Sequence, residues 1–193
     1  VDSKSGRRFV DEFGDRKVCT DAILGVINRG GKALAISDQN GVDEMEVVRP
    51  GVPEKILKSG ALRKFASVKE LCDAYKLDQK TLEATFARYN ELLAAGKDAD
   101  FGRRFDKKAK PLGKAPFYVS EMSPKVHHCM GGMATNVTTA VLDVETDQPI
   151  PGLFAAGECV GGIHGAVRIG ACAVMDCLVN GRQAGLSAAK NKL

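Results

Sequence analysis

Three basic side chains stand where their neighbours would let them do chemistry. Arg168, in GGIHGAVRIGACAV, lies among glycines and just ahead of a stretch that reads as a long helix, with His164 four residues earlier. A helix N-terminus carries about half a positive charge and unpaired N–H donors. A guanidinium beside it suits a carboxylate or a phosphate, because its planar fork can make two parallel bonds to either. The competing reading is a surface arginine that caps a loop.

His127 and His128, in KVHHCMGG, lie where a strand is expected to end before Met130-Gly131-Gly132. Neighbouring residues on a strand point to opposite faces, so one of the two could face a pocket. Carboxylate binding and metal ligation are the functional readings. Metal is disfavoured, since no further His or Cys stands at ligand spacing with an acidic partner. Taken alone, the pair reads as packed histidine satisfied by backbone. Arg16, in GRRFVDEFGDRK, follows acidic and turn-forming residues, and locally it reads as an exposed ion pair. Glu158 closes GLFAAGE, in the manner of the acid that holds a ribose hydroxyl after a strand in dinucleotide folds. The chain has no G-x-G-x-x-G after a strand, so the pyrophosphate-binding half of such a site is not in it.

The elements that would position these residues follow from periodicity and caps. Residues 18–28 read as a helix stopped by Arg29-Gly30-Gly31, residues 32–37 as a strand, and Asp38-Gln39-Asn40-Gly41 as a turn. Ser67 and Glu70 form a capping box for a helix reaching Tyr75. Asp78 caps a stronger helix that ends before Gly96, with Leu82, Phe86, Tyr89 and Leu93 on one face. Residues 97–114 are polar and charge-dense, a linker or surface loop. Phe117–Val119 and Ala140–Val144 read as strands, Gly152–Gly157 as a buried strand, and 171–190 as a long helix rich in small residues. A domain boundary is expected near 112–116.

Composition sets limits on the rest. With 28 Lys+Arg against 24 Asp+Glu in 193 residues, the balance is too mild for a nucleic-acid binder. No apolar run approaches the ~18 residues of a membrane span. The N-terminal VDSKSGRRFVDEFGDR has no apolar core and is not a signal peptide. Six cysteines without a CxxC pair argue against zinc ribbons and thioredoxin-type chemistry and lean towards a reducing, cytoplasmic compartment.

PFYVSEMSPKVHHCMGGM, then PIPGLFAAGECVGGIHGAVRIGACAVMDCLVNGRQAG, together with RFVDEFGDRKVCTDAIL, resembles the C-terminal part of the fumarate reductase flavoprotein family, in particular its soluble flavocytochrome-c-type fumarate and urocanate reductases. The resemblance implies an α/β flavin-binding, Rossmann-like fold interrupted by an α+β clamp (capping) domain. Residues 1–112 would be the later part of the clamp. Residues 113–193 would be the C-terminal segment of the FAD-binding domain, whose N-terminal half lies elsewhere, so the chain reads as a fragment that would be inactive alone.

The implied reaction is hydride transfer from reduced FAD to the C=C of an α,β-unsaturated carboxylate. By position, Arg16 matches the general acid, and His128 and Arg168, forty residues apart, match the pair that binds a substrate carboxylate. Ala171 falls where a backbone group touches substrate. Glu158 matches the FAD ribose contact, and Cys129, Ala173 and Val174 fall where residues line the flavin. Val167, Cys129 and Ala171 stand where relatives commonly carry Asn, Thr and Gly, which bears on which acid is reduced. An electron donor (haem domain, nicotinamide or flavin module) would lie outside this chain, and flavocytochrome members make the periplasm the alternative location. Two other readings remain: a non-catalytic anion-binding or interaction module, and a flavin dehydrogenase working in the oxidative direction.

Overall fold

A computed structural model describes residues 1–191. The chain divides into two compact units, Val1–Pro124 and Lys125–Leu193. The division falls later than the expected 112–116, for a physical reason. Strand β3 (Phe117–Met122) completes the sheet of the first unit.

In that unit β1 (Ala33–Asp38), β3 and β2 (Arg63–Phe65) form an antiparallel sheet in the order β1-β3-β2, with Leu34 opposite Glu121 and Phe65 opposite Phe117. Helices α1 (Arg16–Asn28), α2 (Gln39–Val48), α3 (Val52–Lys58), α4 (Val68–Tyr75) and α5 (Gln79–Ala94) complete it. Its core gathers Leu34, Phe65, Leu71, Leu82, Phe86, Phe117 and Val119. The caps expected for two helices are present. Ser67 Oγ accepts from the Glu70 N–H, Glu70 Oε2 accepts from the Ala66 N–H, and Asp78 Oδ2 accepts from the Thr81 N–H.

The expected turn at Asp38–Gly41 is instead the start of α2. Asp38 is an N-cap: its Oδ1 accepts from the Gly41 N–H. Its Oδ2 accepts from the backbone N–H groups of Gly113 and Lys114, at 3.0 and 2.9 Å, and so ties the long 97–114 loop down beside β3. Asp38 is buried. Asp38→Ala is therefore expected to destabilise the first unit by about 2 kcal/mol, because it strands buried N–H donors. Urea unfolding of the variant checks this.

The second unit holds a hairpin of β4 (Ala140–Leu142) and β5 (Pro149–Phe154), and helix α6 (Cys172–Lys190) packed against β5. Val141, Ala155 and Val160 form its small core. Two expectations are corrected here. The Gly152–Gly157 stretch is not a buried strand: β5 runs from Pro149 to Phe154 and is largely exposed, and burial begins at Ala155, beyond its end. Its apolar composition suggested burial, but the hairpin offers it only a narrow partner. Residues 123–130 are irregular, so the histidine pair does not sit on a strand. No helix among the described residues is long and apolar enough to cross a membrane.

Candidate functional site

The second unit brings His128, Cys129 and Glu158 together through one close backbone approach. The Met133 N–H donates to Cys159 O at 2.8 Å, and the Gly161 N–H donates to Met133 O at 3.1 Å, a single parallel bridge between two loops. Gly132 makes the approach possible: a Cβ there would lie 2.3 Å from the Cys159 carbonyl oxygen and 2.8 Å from the Gly161 nitrogen. The second glycine after His127-His128-Cys129-Met130 is thus a packing requirement, whereas a Cβ at Gly131 would meet nothing. The close approach at Gly132 places the histidine loop against the loop that carries Glu158.

The side chains then meet. Glu158 Oε1 accepts from the Cys129 N–H at 2.8 Å, and Oε2 lies 3.4 Å from His128 Nδ1. The Cys129 N–H, followed by the charges of His128, Arg168 and His127, holds the Glu158 carboxyl below its ordinary range against an opposing effect of burial. The His128 side chain is only 6% exposed, whereas His127 is exposed. So one of the two histidines turns inward, although the strand geometry expected to cause this is absent.

Arg168 is buried among the glycines. Its Nη1 donates to Ile169 O at 3.1 Å, while its buried Nε has no partner. An unsatisfied buried donor costs about 1–3 kcal/mol, so this guanidinium is set up to gain from an anionic ligand. Ala171 is the N-cap of α6 in the left-handed region at φ 69°, with no side-chain cap on the helix. Ala173 is half-buried, and Val174 and Cys129 are exposed.

Arg16 lies in the first unit, as the first residue of α1, with Asp15 as the N-cap. It is exposed, and among the described residues the ion pair expected for it does not form: Lys17, its neighbour, takes Asp21 instead.

Sequence reasoning missed Asp176, a buried carboxylate on α6. Asp176 Oδ1 accepts from Asn180 Nδ2 at 2.6 Å, and Oδ2 lies 3.2 Å from His164 Nε2. The signal that could have exposed it is the Asp176/Asn180 spacing, one helical turn apart in an otherwise apolar stretch. All six cysteines are free thiols, and no cluster of three or more candidate ligands for a metal occurs among the described residues.

The arrangement fits a flavin dinucleotide. Glu158 is anchored through one oxygen yet 56% exposed, so its carboxylate can accept from a sugar hydroxyl. The glycine approach at 132 and 161 leaves bare backbone beside it, and exposed Val174 offers apolar surface to a ring.

Comparison with known proteins agrees. Residues 1–174 match the sequence family described as FAD binding domain. The chain is 34% identical over 184 residues to the acrylate reductase flavoprotein subunit of Shewanella woodyi, covering 95% of this chain and 36% of that protein. It is 38% identical over 193 residues to a probable fumarate reductase of Shewanella frigidimarina, covering 99% and 31% respectively. Among solved structures it is similar to the open conformation of a flavocytochrome c3 fumarate reductase, with TM-score 0.69 and 37% identity, covering 97% of this chain and 32% of that one. The chain thus spans about a third of the length of each of these three proteins.

Proposed function

The chain belongs to the family of FAD-binding domains, and from that premise we propose that it is part of a reductase acting on the C=C bond of an α,β-unsaturated carboxylate. The first compact unit corresponds to the later part of a clamp domain, and the second to the closing segment of a Rossmann-like flavin domain. When bound and reduced, FAD supplies the hydride. Glu158 holds its ribose, and Cys129, Ala173 and Val174 line its ring. Electrons come from a haem, nicotinamide or flavin module outside these residues.

The chain's own residues do the rest. Arg168 and His128 bind the substrate carboxylate, Arg168 through the donor that is unpaired here, and Ala171 adds a backbone contact. Negative charge spreads into that carboxylate as one alkene carbon is reduced, so the same pair stabilises charge where it develops. Arg16 donates the proton to the adjacent carbon, which completes the addition of two hydrogens. A guanidinium keeps its proton throughout the physiological range. A carbanion beside a carboxylate is more basic still, so the transfer runs downhill.

The observation that carries this reading is the buried, half-satisfied Arg168 in the same unit as the inward His128 and the anchored Glu158. The similarity to proteins named for acrylate and fumarate supports a carboxylate next to the double bond as the shared recognition element. The test is oxidation of a reduced viologen dye by the flavin-loaded, full-length protein, with acrylate, fumarate and urocanate supplied in turn. Oxidation with at least one acid is expected. If none oxidises the dye, the proposal fails. Catalysis only in the oxidative direction would fail it equally.

A further inference from the structure

His164 and Asp176 lie within the second unit and have no part in the proposed chemistry. Asp176 is buried, and both its carboxylate oxygens are engaged: Oδ1 by Asn180 Nδ2 at 2.6 Å and Oδ2 by His164 Nε2 at 3.2 Å. A carboxylate only accepts, so the His164 nitrogen that faces it carries the hydrogen. That bond fixes both the tautomer and the plane of the His164 ring.

The other side of His164 meets His128. The two rings stand edge to face, with centroids 5.4 Å apart and planes at 72°. Aromatic pairs favour this arrangement because the positive edge of one ring meets the negative face of the other. His128 Nδ1 faces Glu158 Oε2. The His128 ring is therefore held from two directions, by a carboxylate facing Nδ1 and by an anchored imidazole packed edge to face with it. Nε2 is left as the nitrogen free to meet a ligand.

We propose that His164, anchored by Asp176, is a positioning residue that sets the orientation of His128. This rests on the reading of His128 as a carboxylate binder for its consequence in catalysis, though not for the coupling itself. A binding group must be held by its own supporting contacts, since a misplacement of about 1 Å can cost roughly a hundredfold in rate. Asn180, Asp176 and His164 form such a support, and it starts from a helix.

The chain has three histidines, which makes the test clean. Long-range proton–nitrogen spectra of the 15N-labelled 193-residue chain, at fixed pH, resolve each imidazole, assigned by replacing each in turn with Gln. His164 is expected in the form protonated at Nε2, with that hydrogen slow to exchange. Asp176→Asn should abolish the slow exchange and shift the ring signals of both His164 and His128, while exposed His127 stays in place. His164→Gln should shift His128 alone. If Asp176→Asn does not fold, His164→Gln decides the matter, since its amide can still donate to Asp176. Unchanged His128 signals in a folded variant would overturn the proposal.

In the flavin-loaded full-length protein, Asp176→Asn should raise KM for the unsaturated acid roughly tenfold or more with flavin content unchanged. Loss of flavin with no change in KM would place the pair under the cofactor instead and overturn the positioning role. If no unsaturated acid is reduced at all, the reading of function fails, and the nitrogen spectra still decide the coupling of the two rings.

Discussion

Arg16→Ala, in the flavin-loaded full-length protein, is expected to lower turnover by roughly 10²–10⁴-fold, the range typical of removing a general acid. Affinity for the unsaturated acid should change by less than about twofold, because an interaction made only in the transition state lowers kcat and leaves ground-state binding alone. Arg168→Ala should behave differently: it removes a binding contact and a charge-stabilising one together, so KM rises and kcat falls. Dye-linked kinetics and calorimetric titration of the acid, measured on both variants, separate the two roles. Arg16 is exposed, opens α1, and leaves the nearby Asp21 to Lys17, so no structural ion pair is lost with it. Arg16→Lys should rescue little, because an ammonium lacks the fixed fork of a guanidinium. Equal losses of affinity and turnover in Arg16→Ala would make Arg16 a binding residue. No loss in either would make it a solvated surface group.

Arg8→Ala is expected to cost about 3–5 kcal/mol of stability in the first unit, the size seen when one partner of a buried ion pair is removed. Arg8 Nη2 donates to Asp98 Oδ2 at 2.7 Å, and its Nε and Nη2 donate to the two oxygens of Glu12 at 2.6 and 2.9 Å. The Asp98 side chain is wholly buried, so it has no recourse to water when Arg8 is gone. Burial pushes the Asp98 carboxyl up, but Arg8 and the backbone N–H groups of Phe101 and Asp100 outweigh that and hold it at about 2, below the ordinary 3.8. A depressed folded-state pKa gives stability that is present above the unfolded value and is lost as pH falls through the folded one. Asp98 therefore supports the fold fully above about pH 4 and releases that support towards pH 2. In Arg8→Ala the loss should begin at higher pH, because the carboxyl no longer has its cation. Urea unfolding followed by circular dichroism across the acid range measures both effects. An acid limb that does not move in the variant would show that the pair does not set it.

Local chemistry made parts of this molecule readable in advance. Ser67 and Asp78 each cap a helix as their spacing implies, and Leu82 and Phe86 face the core as the helical period requires. Asp38–Gly41 misled because the residues that favour turns also favour helix N-caps. The deciding partners, the backbone N–H groups of Gly113 and Lys114, are far along the chain. Helix α3, led by Gly51 and carrying Pro53 in its first turn, and the three-residue strand β2 gave too little periodicity to stand out.

In the candidate site, the residue types and the forty-residue interval from His128 to Arg168 were visible, but their surroundings were not. That His128 turns inward while His127 does not depends on contacts with Glu158 and His164, which only the folded loops supply. Asp176 was hidden for the same reason, since its partner His164 precedes the helix on which it sits.

The contact at Gly132 limits how this protein could be redesigned. Any side chain there would act as a wedge, prising the Cys159 loop away and pulling Glu158 off the Cys129 amide. Changes to this loop should therefore be confined to exposed His127, where a new side chain can point into solvent, and leave the second glycine of the motif untouched.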